Sequence, residues 1–229
     1  MRPAKLPFGF ETLLGTMLLL MFLPTLAHAD WVSTISRTLY TAVMLASLYL
    51  VADNHKELTI GIILFIPAAL TKWMAAPLLE EEIQLFAHCI FQIIFLAYIM
   101  RKTFRFLLST KTVDSDTISA SIVLYFIFGL CMSLAYFATL LVSPGALGPK
   151  LMVDISKPDA LAVLMHDLIY FSFVTQTTLG YGDISPTTGF AKSLASTQAL
   201  SGQIYVAVII ARLVGIQIAT TLDGSQNKD

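Results

Sequence analysis

Charge is scarce in this chain. Only 13% of its 229 residues are Asp, Glu, Lys or Arg, while 56% are hydrophobic and the mean hydropathy is +0.77. Such a composition excludes a soluble domain, and runs of about 18 or more apolar residues read as membrane spans. The 14 basic and 15 acidic residues leave a net charge of −1, which excludes the basic surface that a nucleic-acid partner needs. Cysteine is equally sparse: Cys89 and Cys131 fall in apolar stretches without a CxxC spacing, and read as small core residues rather than a disulfide or a metal site. No span repeats arginine at every third position. Arg37 stands alone in its segment and none lies between Ile83 and Met100, so a voltage sensor is not expected. There is no internal repeat, and neither an enzymatic role nor a cofactor is expected.

The first 29 residues fit two readings. Arg2 and Lys5 precede an apolar run, Leu13–Leu23, and the stretch closes on Ala27-His28-Ala29, the pattern of a cleavable signal peptide. The same residues also fit a short membrane helix from about Phe10 to Ala27. Both leave Asp30 outside. Apolar segments then follow at Trp31–Val51, Leu58–Ala76 and Ile83–Met100, with a kink expected at Pro67 and Glu80-Glu81-Glu82 in an outer loop. Arg101, Lys102 and Arg105, with Lys111 soon after, read as a short basic loop that the positive-inside rule places in the cytoplasm. On that orientation the inner side also holds Arg2, Lys5, Lys56, Arg212 and Lys228, nine basic residues in all. The outer side holds the other five of the 14: Arg37, Lys72, Lys150, Lys157 and Lys192. A further apolar helix spans Thr117–Val142, and Ser143–Pro149 breaks it. Asp159 is placed to cap a shorter helix through Thr177, one with too few apolar residues to span twice. Ser185-Pro186 turns the chain into a last apolar helix ending near Gln217, and a polar tail, residues 218–229, follows.

Between these last two helices lies Thr177-Thr178-Leu179-Gly180-Tyr181-Gly182-Asp183. A bare cation leaves water only if oxygens replace its hydration shell, and successive backbone carbonyls do so if they point the same way. A β-strand alternates its carbonyls, so a one-sided stack needs residues that tolerate positive φ, and glycine stands at every second position here. Leu179 and Tyr181 would then turn outward, and the Thr178 hydroxyl would add an oxygen at the inner end. One such loop makes one side of a cage, so several copies must surround an axis.

This loop resembles the selectivity filter of bacterial tetrameric potassium channels, whose filters read TVGYG. Tyr170–Gln176 resembles the pore helix that enters such a filter, and Gly202–Gly215 (GQIYVAVIIARLVG) resembles an inner helix. The likeness covers about residues 117–217; Leu179 departs from it, standing where valine or isoleucine is usual. It implies an all-α membrane fold: outer helix, re-entrant pore helix, filter and inner helix, preceded by four hydrophobic segments (six spans, or five if the first is cleaved). The expected divisions are 1–29, a signal peptide or first helix; 30–116, peripheral helices and a cytoplasmic linker; 117–217, the pore domain; and 218–229, a cytoplasmic tail.

The likeness further implies K⁺ coordination by Thr178, Leu179, Gly180 and Tyr181, with Gly182 completing the filter. Its partners would be three further copies of the chain and membrane lipid, and its location the cell (inner) membrane. Thr175, Thr177, Phe171 and Asp183 would support the filter, Thr175 by meeting the Tyr181 hydroxyl of a neighbouring copy. Tyr170, Phe171 and Phe173 would form an aromatic cuff. In some relatives the aspartate after the filter pairs with a pore-helix carboxyl; that place is Val174 here, so the pair is missing. Gly202 has two readings, a gate hinge or a close packing contact with the pore helix. A less selective cation channel and a transporter are the alternative functions, and a single GYG loop argues against both. Since moving one charge across the membrane is worth only about 2.3 kcal/mol per 100 mV, opening should change little between about −100 and +100 mV. Single-channel recording checks this, and steep, saturating activation would reveal a sensor absent from this reading.

Overall fold

The computed structural model describes residues 9–26, 30–52, 54–73, 81–151 and 160–226. Every regular element among them is helical: α1 (Phe10–Leu26), α2 (Asp30–Val51), α3 (His55–Trp73), α4 (Glu81–Ser109), α5 (Ser115–Val142), α6 (Ala160–Gln176) and α7 (Gly189–Gln226), with a single 3₁₀ turn at Pro149–Leu151. Ile83–Ser109, Ser115–Val142 and Gly189–Ala219 are long and apolar enough to cross a membrane. At 1.5 Å per residue, each exceeds the roughly 30 Å of a bilayer core. The Ala27–Ala29 cleavage motif, Glu80 and the expected cap Asp159 lie outside the described residues.

Helix ends differ from the sequence expectation in two places. The basic group at Arg101, Lys102 and Arg105 is not a loop but part of α4, and only Lys111 lies in the connection to α5. Ile99–Ser109 contains neither proline nor glycine, and Arg, Lys and Leu are good helix formers, so charge alone does not stop the helix. Likewise α7 runs past Gln217 to Gln226, because the polar residues there include no breaker strong enough to end it. Starts are better marked. Asn54 caps α3 through the Glu57 N–H (2.9 Å), Asp114 caps α5 through the Thr117 N–H (2.8 Å), and the Thr188 hydroxyl accepts from the Ala191 N–H (3.3 Å) at the head of α7.

The chain divides into two compact units. The first contains α1–α3, the second part of α4, the start of α5 and the end of α7. Phe10 of α1 stacks on Phe106 of α4 (5.3 Å between ring centres), and its backbone N–H donates to Asp116 at the start of α5 (2.7 Å). The neighbouring Glu11 accepts from Ser115. Gly61 of α3 leaves room for Leu48 of α2, which a Cβ there would overlap. Lys102, only 7% exposed, reaches Glu57 of α3 (2.5 Å), and the Tyr98 hydroxyl donates to the Glu57 carbonyl (2.8 Å).

The second unit contains the start of α4 and the chain from Tyr125 to Gly215. Its core forms around α6, whose Leu164, Leu168 and Phe171 recur at helical spacing and are buried with Tyr136, Phe137 and Leu140 of α5 and Ala191 and Ala195 of α7. The small alanines let α7 approach closely. Tyr136 meets Phe171 edge-on (4.8 Å between ring centres).

The buried ion pair in the first unit supplies a test. Glu57→Gln takes away the carboxylate that Lys102 reaches, and should lower thermal stability in lipid nanodiscs by about 1.5–3 kcal/mol. Adding Lys102→Met should recover most of that loss. Unchanged melting in the single variant would show that the pair is worth little.

Candidate functional site

The loop Thr177–Asp183 leaves the C-terminal end of α6, and its backbone N–H groups fold back onto the last carbonyls of that helix. Thr177 N–H donates to Phe173 O, Thr178 N–H to Thr175 O, and both Leu179 and Gly180 N–H to Val174 O, at 3.0–3.4 Å. A helix end leaves four carbonyls without intrahelical donors, and here the loop that follows supplies most of what they need. The fourth, Gln176 O, accepts from the Tyr125 hydroxyl of α5 (3.3 Å). The N–H groups of Thr177 to Gly180 are thus consumed. The carbonyls of Thr178, Leu179, Gly180 and Tyr181 accept no hydrogen bond from any described residue.

The backbone of the loop alternates in handedness. Gly180 (φ 61°) and Gly182 (φ 80°) take the left-handed region, as glycine spacing predicts, but Thr178 joins them at φ 59°. Among the described residues it is the only non-glycine with positive φ. That conformation costs a residue with a Cβ on the order of 1–2 kcal/mol. Hydrogen bonds hold it: the Thr178 hydroxyl donates to Thr177 O (2.6 Å), and Gln203 of α7 approaches that hydroxyl (3.4 Å). Alternating left- and right-handed residues turn successive peptide planes the same way, so their carbonyls share a side instead of alternating as in a strand. The glycine pattern shows two of the three turned positions; threonine gives no sequence signal for the third.

Of the expected supporting residues, Phe171 is buried against Tyr136, and Thr177 donates its hydroxyl to Phe173 O (2.7 Å). Thr175 sits in the last turn of α6; its expected partner belongs to another copy. Tyr170 has a more specific place than a cuff. Its hydroxyl donates to Asp183 (3.1 Å), and its ring stacks parallel to Tyr181 (6.4 Å between centres). It lies one turn before Val174, on the same face of α6, so it tethers the aspartate that the missing carboxyl would have held. Desolvation, then the adjacent Asp183 carboxylate, raise the Tyr170 phenol above its ordinary pKa. His166 and Asp167 of α6 lie 3.9 Å apart, both partly exposed.

The chain leaving the loop is clipped down as well. Thr187 donates its N–H to Ala146 O and its hydroxyl to Gly145 O, both at 2.8 Å, in the turn after α5. Behind the inner end lies a polar cluster to which the sequence reading assigned no role. Ser172, Gln176, Gln198 and Tyr136 are buried, and they join α5, α6 and α7 by hydrogen bonds. Its signal was available: glutamine and serine in apolar helices need partners.

Residues 162–217 match the model of a family described as "Ion channel". No curated protein and no solved structure matches the chain. The matched segment contains most of α6, the whole loop and α7 as far as Gln217.

Gly202 is buried against Gln176, and a Cβ there would collide with the Gln176 carbonyl oxygen and lie 3.0 Å from its Cγ. This is the packing contact. Gly202→Ala should therefore lower the melting temperature of the purified protein, with an overpacking cost of about 1–3 kcal/mol. A variant of unchanged stability with shortened openings would favour the hinge reading instead.

Proposed function

We propose that the chain is a subunit of a potassium-selective channel, four copies of which surround one pore in the cell (inner) membrane. The observation that carries this reading is the loop's division of labour. The N–H groups of Thr177 to Gly180 are committed to α6, while the carbonyls of Thr178, Leu179, Gly180 and Tyr181 stay available on a backbone of alternating handedness. Such carbonyls replace the hydration shell of a monovalent cation, and neighbouring sites pass it on by mutual repulsion. The match of residues 162–217 to an ion-channel family supports conduction; selectivity for K⁺ rests on the GYG loop.

Assembly follows from the incompleteness of one copy. Leu179 and Tyr181 are exposed within the single chain, and so is the apolar face of α7 formed by Leu200, Ile204 and Val208. Only 11% of the α7 span is buried in its own chain, against 50% for α5. Further copies and lipid complete these surfaces. The C-terminal end of α6, where the helix dipole is negative, then faces a cation below the filter. Arg101, Lys102 and Arg105 orient the inner end of α4 to the cytoplasm.

Reconstituted protein should give a reversal potential close to that of K⁺ in opposed K⁺ and Na⁺ solutions. Gly180→Ala should abolish that current in a tetramer that still assembles. Its added Cβ meets no described atom within 4 Å in the chain, so the penalty falls on the left-handed backbone alone. Wild-type current and selectivity in Gly180→Ala would refute the filter assignment, and a reversal potential near zero would replace it with a non-selective cation pore.

A further inference from the structure

The polar cluster behind the loop converges on one residue. Gln176, the last of α6, is fully buried and sits between two glycines. On one side, Gly129 of α5 admits the Phe173 ring and the Gln176 side-chain oxygen, which a Cβ would meet at 2.6 and 3.0 Å. On the other, Gly202 of α7 lies against the Gln176 backbone carbonyl. The Gln176 amide donates to Tyr125 O (2.8 Å). Its side-chain oxygen accepts from Gln198 of α7 (3.3 Å). The Gln198 amide shares its two hydrogens between that oxygen, the Ser172 hydroxyl (2.8 Å) and the Ser172 carbonyl (3.0 Å), and its own oxygen accepts from the Tyr136 hydroxyl (2.6 Å). Ser172 in turn donates to Gly129 O (2.7 Å). One turn further along α7, Gln203 reaches the Thr178 hydroxyl (3.4 Å).

Three residues on one stretch of α7 therefore bear on the base of the loop: Gln198 through the Gln176 side chain, Gly202 through its backbone, and Gln203 through Thr178. An apolar core would fill the same volume with less risk, because every amide group here must be satisfied. Hydrogen bonds add what packing lacks, a fixed direction. The carbonyl of Gln176 immediately precedes Thr177, so the orientation of this peptide sets where the alternation at Thr178 begins.

We propose that Gln198 and Gln176 are positioning residues for the filter: the amide link between them fixes the last turn of α6 to α7, and so makes filter geometry depend on the inner helix. The proposal rests on the channel reading above and adds to it the place where the inner helix governs ion passage. Displacement of α7 along this stretch withdraws the donors that hold Gln176 and Thr178 in place, and the stacked carbonyls lose their alignment.

The test compares wild type, Gln176→Leu, Gln198→Leu, the double variant and Ser172→Ala, each purified as a tetramer and reconstituted in planar bilayers. The readouts are the K⁺/Na⁺ permeability ratio, the mean open time and the melting temperature. Leaving a buried amide unpaired should reduce the permeability ratio or open time of each leucine variant about tenfold. The double variant should lose less than the sum of the two single losses, because both remove the link they share. Should the leucine variants fail to assemble, Ser172→Ala decides, since it removes one hydroxyl and should still shorten openings. Lower melting with wild-type permeability ratio and open time would overturn the inference and leave the cluster a structural one. A wild type that passes no K⁺ would overturn the channel reading, and this inference with it.

Discussion

The constraint on which the second unit depends is the burial of the peptide and side chain of Gln176 at the end of α6. Neither can go unpaired in an apolar layer, where an unsatisfied amide costs several kcal/mol. Their partners come from α5 and α7, at Tyr125 and Gln198. Two glycines, Gly129 and Gly202, let these helices come close enough to supply them. The loop that follows depends on the same arrangement. With the last residue of α6 fixed, the remaining carbonyls of that turn take the loop's own N–H groups, and the loop's carbonyls are left over. The chemistry attributed to the loop is thus a remainder, set by how completely the helix end satisfies itself.

Strain enters at one position. Thr178 adopts a backbone conformation that disfavours any side chain, yet a glycine there would lack the hydroxyl that donates to Thr177 O and faces Gln203. The residue trades backbone comfort for an oxygen at the inner end of the stack. Such strain persists only where the surroundings over-determine it, and three separate elements meet here.

Much of this was legible in the sequence. Long apolar stretches marked α4, α5 and α7, and Gly180 with Gly182 marked the loop, because membrane burial and positive φ each demand a narrow choice of residue. Boundaries were less legible. The run from Arg101 to Arg105 reads as a loop by charge, but it continues α4 because nothing in it breaks a helix. The pairing of Lys102 with Glu57 and of Tyr170 with Asp183 joins residues 45 and 13 positions apart, and spacing alone does not reveal either. Gln176 and Gln198 were visible as polar residues in apolar helices, but their common purpose appears only once α6 lies beside α7.

The loop is held at both ends by groups outside its central residues. At its entry the carbonyls of α6 and the Gln203 amide take hold, and at its exit Thr187 is clipped to Gly145 and Ala146. The side chains of Leu179 and Tyr181 contribute little to the buried core of their own chain. Folding instructions and the chemistry proposed for the loop are therefore written in different places. A stretch of this kind behaves as an interchangeable cartridge: its seat is encoded in the surrounding helices, and its contents are open to revision by evolution or design without rewriting the seat.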